Sequence, residues 1–196
     1  MTEKEKMLAG ELYYAGDELA KELRRAKCKI HEINNMHPEE MQSREEAFRG
    51  LFHSIGEKFN IESPFFCDYG SNITIGENFY ANHNCVILDC AKVVIGDNVL
   101  FGPNVSIFTA GHPVDIDLRL KSLEYAFPIT IGDNVWIGGG TIINPGITIG
   151  DGSVIGAGSV VTKDIPANVV AVGSPCRVLR EINDDDKIRY FKDRTV

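Results

Sequence analysis

The chain lacks most of what a secreted or membrane-spanning protein depends on. Its apolar runs are short and broken by Gly, Asp and Asn, so none is long enough to cross a bilayer. The opening MTEKEKMLAGELYY shows no apolar stretch ahead of a small-residue cleavage site, and no secretion signal is expected. Five cysteines (28, 67, 85, 90 and 176) form an odd set without a C-x-x-C pair. That argues against a disulfide framework and a zinc cluster, no metal is expected, and reduced thiols fit a cytoplasmic protein. Positive charge is also scarce. Against 28 Asp and Glu stand 20 Lys and Arg, a net charge of −8, which argues against nucleic acid as a general partner. What is left is 196 residues, 43% of them hydrophobic. That is too apolar for a disordered chain and enough for one domain with an appendage.

Glycine and branched aliphatics, by contrast, are plentiful and periodic. From Ile75 onward an aliphatic or small residue returns every six positions: Ile75, Ala81, Ile87; then Ile95, Phe101, Ile107; then Ile131, Ile137, Ile143, Ile149, Ile155, Val161 and Ala167. IGDNV occurs at 95–99 and again at 131–135, a separation that reads as two sets of three hexads. A fixed period of this kind marks a solenoid. Three short strands joined at Gly, Asp or Asn turns close one triangular coil of 18 residues. The first hexad residue then points inward together with the fifth (Val99, Val105, Val135, Thr141, Ile147, Ser153 and Ser159). Stacked coils bury a core that no single coil could bury alone. The predicted fold is therefore mainly β, a parallel β-helix over 61–172, whose handedness the periodicity does not supply.

The flanks differ. Residues 1–60 have a helical pattern, with Asp17 as a cap and Leu19, Leu23, Ala26, Ile30 and Ile33 along one face. Pro38 suits the start of a second helix carrying Met41, Ala47, Leu51 and Ile55, which stops near Gly56. The tail 173–196 turns at Ser174-Pro175 and is expected to end in a helix. Within the repeat the phase slips by two residues between Ile87 and Ile95. A larger break, 109–128, removes 20 residues from the pattern (TAGHPVDIDLRLKSLEYAFP). Inserted loops on one face of a solenoid are where binding concentrates.

His112 lies in that loop, between Gly111 and Pro113. An imidazole suits general-base chemistry near neutral pH. The alternative is a surface turn with no chemical duty, as is expected for His31, His37 and His53 in the helical part. Trp136, the one tryptophan, takes the sixth hexad position and should point outward, as a ligand wall or a subunit contact.

Several stretches together resemble the hexapeptide-repeat sugar O-acetyltransferases, the galactoside and maltose acetyltransferases. They are YGSNITIGENFYAN (69–82), IGDNVLFGPNV (95–105), GHPVD (111–115), FPITIGDNVWIGGG (127–140), NPGITIGDGSVIGAGSVVTKDIP (144–166) and GSPCRVLREI (173–182). The resemblance implies a left-handed β-helix, a homotrimer with active sites between subunits, and acetyl-CoA as donor. It implies His112 as the base and Asn82 as a donor to the developing oxyanion or a contact to the thioester. Asp68, Tyr80 and Asp89 match acceptor contacts, and Glu124 falls in the acceptor region, where the galactoside branch carries Met. Gly102, Gly139 and Ala157 match positions along the pantetheine arm, and Thr162, Lys163 and Arg180 match contacts to the nucleotide end. Two departures leave the acceptor open: the galactoside branch has Ser in place of Asp68 and Asp in place of Cys90. A non-sugar acceptor, such as an antibiotic or serine, is a second reading. A γ-type carbonic anhydrase needs three zinc histidines, whereas the repeat region offers His83 and His112. A purely structural solenoid leaves the inserted loop without a purpose.

Overall fold

A computed structural model describes residues 1–196. Three parallel walls enclose the hydrophobic core. Wall one stacks Ser54–Ile55, Ile73–Ile75, Val93–Ile95, Ile129–Ile131 and Thr148–Ile149. Wall two stacks Phe59–Ile61, Phe79–Ala81, Leu100–Phe101, Trp136–Ile137, Val154–Ile155 and Val169–Val172, and is closed by the antiparallel strand Arg177–Glu181. Wall three stacks Phe65–Cys67, Cys85–Leu88, Ser106–Phe108, Ile142–Ile143 and Val160–Val161. The first and fifth hexad residues point inward as expected: Ile95, Val99, Phe101, Val105, Ile131, Val135 and Thr141 are all buried.

The hexad turns six residues into a corner by one backbone device. Its fourth residue adopts a left-handed conformation at Asn78, Asn84, Asn98, Asn104, Asn134, Gly140, Gly146, Gly152 and Gly158. Glycine carries no Cβ penalty there, and asparagine pays the smallest one among side-chain-bearing residues. The corner between walls one and two is also laddered through side chains. The amide N–H of Asp97 donates to Asp133 Oδ1 at 2.8 Å, and that of Asp133 to Asp151 Oδ1 at 2.9 Å. Beside it, Asn78 Nδ2 donates to Asn98 Oδ1 at 2.9 Å, and Asn98 Nδ2 to Asn134 Oδ1 at 3.1 Å. The repeated Gly-Asp-Asn is thus the corner itself.

Coil length varies at the corner between walls three and one, which revises two expectations. Ile95 pairs directly with Ile131, so the 36-residue separation of the two IGDNV segments is one coil plus an insertion, not two coils. The last coil is shortened, with Ile149 bridging to Ile165, and Ala167 is therefore an exposed turn residue. Its expected inward place is taken by Val169 and Ala171.

The N-terminal helices differ from expectation at their ends. Helix α1 spans Glu3–Ala9 and opens with a capping box at Thr2. Helix α2 spans Asp17–Asn35, but its cap is Gly16, and Asp17 is its first residue, beside the positive end of the helix dipole. Helix α3 spans Met41–Arg49, starting after Pro38 and ending well before Gly56. Ser54–Ile55 and Phe59–Ile61, within the stretch expected to be helical, are strands of the first coil, because coil two offers them parallel partners. Met41 is exposed. Ala26, Ile30 and Ile33 of α2 and Phe48 of α3 close the open end of the solenoid. There Phe48 packs on Phe52, Phe59 and Phe65 with ring centroids 5.6, 6.4 and 5.7 Å away. The tail holds only a one-turn helix, α5 (Asp185–Ile188), preceded by Arg177–Glu181 and followed by a small hairpin. No helix is long and apolar enough to cross a membrane.

The left-handed corner yields a stability test. Asn134 has φ of +58°. Asn134→Ala should lose about 1–2 kcal/mol in urea unfolding, from backbone strain together with the lost ladder bond. Asn134→Gly loses the same bond without the strain. It should lie about 1 kcal/mol above the alanine variant, and equal stabilities would discount the backbone argument.

Candidate active site

The insertion leaves the solenoid at the corner between walls three and one, and its two ends are tied together. Phe127 N–H donates to Thr109 O at 2.9 Å, and Thr109 Oγ1 donates to Leu88 O at 2.7 Å. Within it, Leu123–Ala126 pairs antiparallel with Ala110–Gly111 on one edge and with Tyr13–Tyr14 on the other. The N-terminal segment thereby becomes part of the loop's foundation. A second, smaller core of Met7, Tyr13, Leu19, Tyr69, Cys90, Ala91 and Ala126 fills the space beneath. A short helix, α4 (Ile116–Leu120), capped by Asp115, completes the insertion.

His112 follows this strand pair and is exposed. Its Nδ1 lies 3.1 Å from Leu123 O. A carbonyl only accepts, so Nδ1 carries the proton and Nε2 is left with a lone pair. A Cβ on Gly111 before it would come within 2.6 Å of Tyr125 Oη, so a side chain there would push the tyrosine ring aside. The glycine lets the Tyr125 ring lie against the strand that delivers the histidine.

The neighbouring groups form a chain of acids and hydroxyls. Tyr13 Oη donates to Glu124 Oε2 at 2.7 Å, and Cys90 Sγ donates to Asp68 Oδ2 at 3.5 Å. Burial pushes the Cys90 thiol up to about 12, and the nearby Asp68 carboxylate adds to this, so the sulfur stays a protonated donor. Burial also raises Asp68, against the lowering effect of the Cys90 hydrogen bond and Lys27. Asp89 sits deeper, at 0% exposure. Its Oδ1 accepts from the amides of Asp68 (3.1 Å) and Tyr69 (2.8 Å), and its Oδ2 from that of Asn72 (3.2 Å). Those bonds hold the turn that presents Asp68. Sequence reasoning passed over Tyr13 and treated Cys90 only as a departure. Tyr13 had no local signal, because its partner Glu124 is 111 residues away.

The other candidates lie elsewhere. Asn82, Gly102, Gly139 and Ala157 all lie at the corner between walls two and three, Asn82 and Gly102 in register with Gly138 and Gly156, and Gly139 and Ala157 one residue further into the corner. Asn82 Oδ1 accepts from the His83 amide at 2.7 Å, leaving Nδ2 free to donate. Backbone dominates this edge: Gly138, Gly139 and Gly140 are followed one coil later by Gly156, Ala157 and Gly158, and a Cβ on Gly158 would meet nothing within 4 Å. Tyr80, Leu100 and Trp136 form one column on the outer face of wall two, with Trp136 53% exposed, as its hexad position predicts. Thr162 and Lys163 are exposed at the corner of the inserted loop, two coils beyond it. Arg180 is exposed on the closing strand and holds Asp186 through two bonds of 2.7 and 2.6 Å. The structure thus gathers His112, Glu124, Asp68 and Asp89 at one corner and Asn82 with the glycine edge at another.

A parallel hexapeptide solenoid with a histidine-bearing insertion defines an acyltransferase of the hexapeptide-repeat class. The maltose acetyltransferase hexapeptide capping motif matches residues 6–56. The hexapeptide repeat of succinyl-transferase matches 92–116, and the bacterial transferase hexapeptide (six repeats) matches 128–163. Galactoside O-acetyltransferase of Escherichia coli is 54% identical over 193 residues, covering 98% of this chain and 95% of that protein. A galactoside acetyltransferase solved in complex with coenzyme A superposes with a TM-score of 0.97 at 53% identity, over 100% of this chain and 98% of that one. A maltose O-acetyltransferase from Clostridium difficile 630 gives 0.93 at 57% identity, over 94% and 99%. The chain belongs to the galactoside and maltose O-acetyltransferase family of hexapeptide-repeat enzymes.

Asp89 generates a pH prediction. Burial lifts its carboxyl to about 6, against about 3.9 in an unfolded chain. The folded state then holds this proton more tightly, so Asp89 lowers stability progressively as pH rises from about 4 to 6. Asp89→Asn removes that titration while losing good acceptors. The stability difference, variant minus parent, should move in the variant's favour by about 2–3 kcal/mol between pH 4 and pH 7. Urea midpoints at the two pH values measure it. A difference that stays constant would mean that the carboxyl does not titrate in this range.

Proposed function

We propose that the protein transfers an acetyl group from acetyl-CoA to a hydroxyl of a sugar, with His112 as general base. The observation that carries this reading is the hydrogen bond from His112 Nδ1–H to Leu123 O, which leaves Nε2 as an exposed proton acceptor on a braced loop. Acetyl-CoA supplies the acyl group as a thioester. His112 Nε2 takes the proton from the attacking hydroxyl and returns it to the departing thiolate, so that the ester and the free thiol form with no net proton change. The Asn82 amide donates to the oxygen on which charge builds, an interaction of about 3 kcal/mol where such a donor is fixed. Asp68 and Glu124 accept from sugar hydroxyls, and Asp89 holds Asp68 in position. Tyr80 and Trp136 supply an aromatic wall. Gly102, Gly139 and Ala157 let the pantetheine arm approach backbone amides, while Thr162, Lys163 and Arg180 meet the phosphates. Asp186 is the competitor that a phosphate displaces from Arg180.

These groups lie at opposite ends of wall three, so we read them as halves of one site. A homotrimer of left-handed helices brings one corner of each subunit against the other corner of its neighbour. His112, Asp68 and Glu124 then come from one subunit, and Asn82, Tyr80 and the glycine edge from the next.

Two experiments test this. His112→Ala should lower kcat by ~10²–10⁴-fold while acetyl-CoA binding and melting temperature stay near parental values. Full activity in the folded variant would end the base assignment. In the second, His112→Ala and Asn82→Ala chains, each nearly inactive alone, are mixed and refolded together. In random hybrid trimers about a quarter of interfaces carry both intact residues, so about a quarter of parental activity should return. No recovery beyond the sum of the two variants would place both residues' work within one subunit.

A further inference from the structure

The reaction described above leaves His83 without a part. This histidine follows Asn82 at the corner between walls two and three and is exposed. Its Nδ1 lies 2.7 Å from Ser63 O, in the coil before. A carbonyl only accepts, so Nδ1 holds the proton and Nε2 keeps a lone pair, the arrangement also found at His112. Two further bonds tie the same corner. The His83 amide donates to Asn82 Oδ1 at 2.7 Å, and the Asn84 amide donates to Pro64 O at 2.9 Å. A second imidazole is therefore fixed against the first coil, one residue from the side-chain amide given to the oxyanion.

Direction decides which reactant His83 meets. Gly102, Gly139 and Ala157 carry the pantetheine arm away from Asn82 through successive later coils, so the acceptor approaches from the other side, where the first coil lies. The His83 ring leans on Ser63 to that side. Glu62 stands in the register of Asn82 one coil earlier; its Oε1 accepts from Asn60 Nδ2 at 2.9 Å, which leaves Oε2 free. Nε2 and this carboxylate both accept hydrogen bonds. A hydroxyl-bearing reactant supplies the donors they need, whereas a thioester group has none. In the trimer read above, this corner meets the neighbour's His112 corner, so assembly encloses His83 within the shared site.

We propose that His83 binds the acceptor: Nε2 accepts a hydrogen bond from a second hydroxyl of the sugar, beside the one that His112 deprotonates, and favours acceptors that carry it. The inference rests on the two-subunit sugar acetyltransferase reading above, and it makes His83 a residue of acceptor choice.

The test follows free CoA thiol released from acetyl-CoA, with methyl glucoside or methyl galactoside, whichever the parent acetylates faster, and with its monodeoxy analogues. His83→Phe and His83→Asn both remove the Nε2 acceptor, but His83→Asn can still donate to Ser63 O. His83→Gln places an amide oxygen near the Nε2 position and gives up the bond to Ser63. His83→Phe and His83→Asn should lose roughly three- to tenfold in kcat/KM for the sugar, the worth of one hydrogen bond, mainly through acceptor KM and with KM for acetyl-CoA unchanged. His83→Gln should recover most of that loss. One deoxy analogue, other than the one lacking the acetylated hydroxyl, should lose a similar factor in the parent and nothing further in His83→Phe. This cycle decides the matter if His83→Gln fails to recover, and matching melting temperatures verify the fold. Losses in His83→Phe and His83→Gln beside a parental His83→Asn would make the ring a brace for the corner and overturn the binding role. Unchanged kcat/KM in all three variants, or deoxy losses that simply add to that of His83→Phe, would overturn it as well. A parent that acetylates neither sugar overturns the reading beneath it, and the role of His83 with it.

Discussion

Everything in this molecule hangs on the hydrogen bonds that each coil makes to the coil above and below it. A parallel strand has no partner within its own coil, so a strand of two or three residues is stable only when its neighbours in the stack are already in register. Register in turn requires each corner to turn at the same point. That is why left-handed Asn and Gly recur at the fourth hexad position and why acidic side chains bridge successive coils at the first corner. Many corner glycines serve the same stack. A Cβ on Gly102 would lie 2.5 Å from the Gly139 amide nitrogen. Gly102, a candidate for ligand contact, is therefore required first by the fold.

Such a scaffold leaves little room for chemistry. Its interior is packed with aliphatics and its walls are flat, so a reactive group has to be carried on something added. Here the addition is the insertion at the corner between walls three and one, and the problem becomes how to keep it from fluctuating. Pairing with Tyr13–Tyr14 solves it by lending a strand from the N-terminus, and the second core beneath fixes that strand to the solenoid. The price is a set of largely buried polar groups that need partners: Tyr13 bonds Glu124, Cys90 bonds Asp68, and Asp89 takes backbone amides. The same set faces the acceptor side of the proposed reaction.

Where sequence and structure diverge, the cause is a contact between residues far apart in the chain. Residues 55–61 are the exception, since they carry the hexad themselves: IGEKF at 55–59 repeats IGENF at 75–79, and the segment pairs in that register with Ile73–Ile75 and Phe79–Ala81. The two IGDNV copies turn out to be neighbours in space, since the whole insertion fits into one corner of one coil. Ala167 keeps the six-residue phase but not the inward position, because the last coil is cut short before it.

By itself the sequence determined the solenoid, its inward residues, the outward Trp136 and the one loop that interrupts the pattern. All of these follow from a local period, and a period is visible wherever the chain repeats the same steric requirement. Tertiary structure alone decided which nitrogen of His112 is left free, that Asp89 is spent on backbone amides, and that Tyr13 braces Glu124. It also decided that the candidate residues fall into two groups at opposite ends of one wall. Each of these depends on a partner brought close only by coil stacking or by the folding-back of the N-terminus, and no periodicity encodes a meeting between positions 13 and 124.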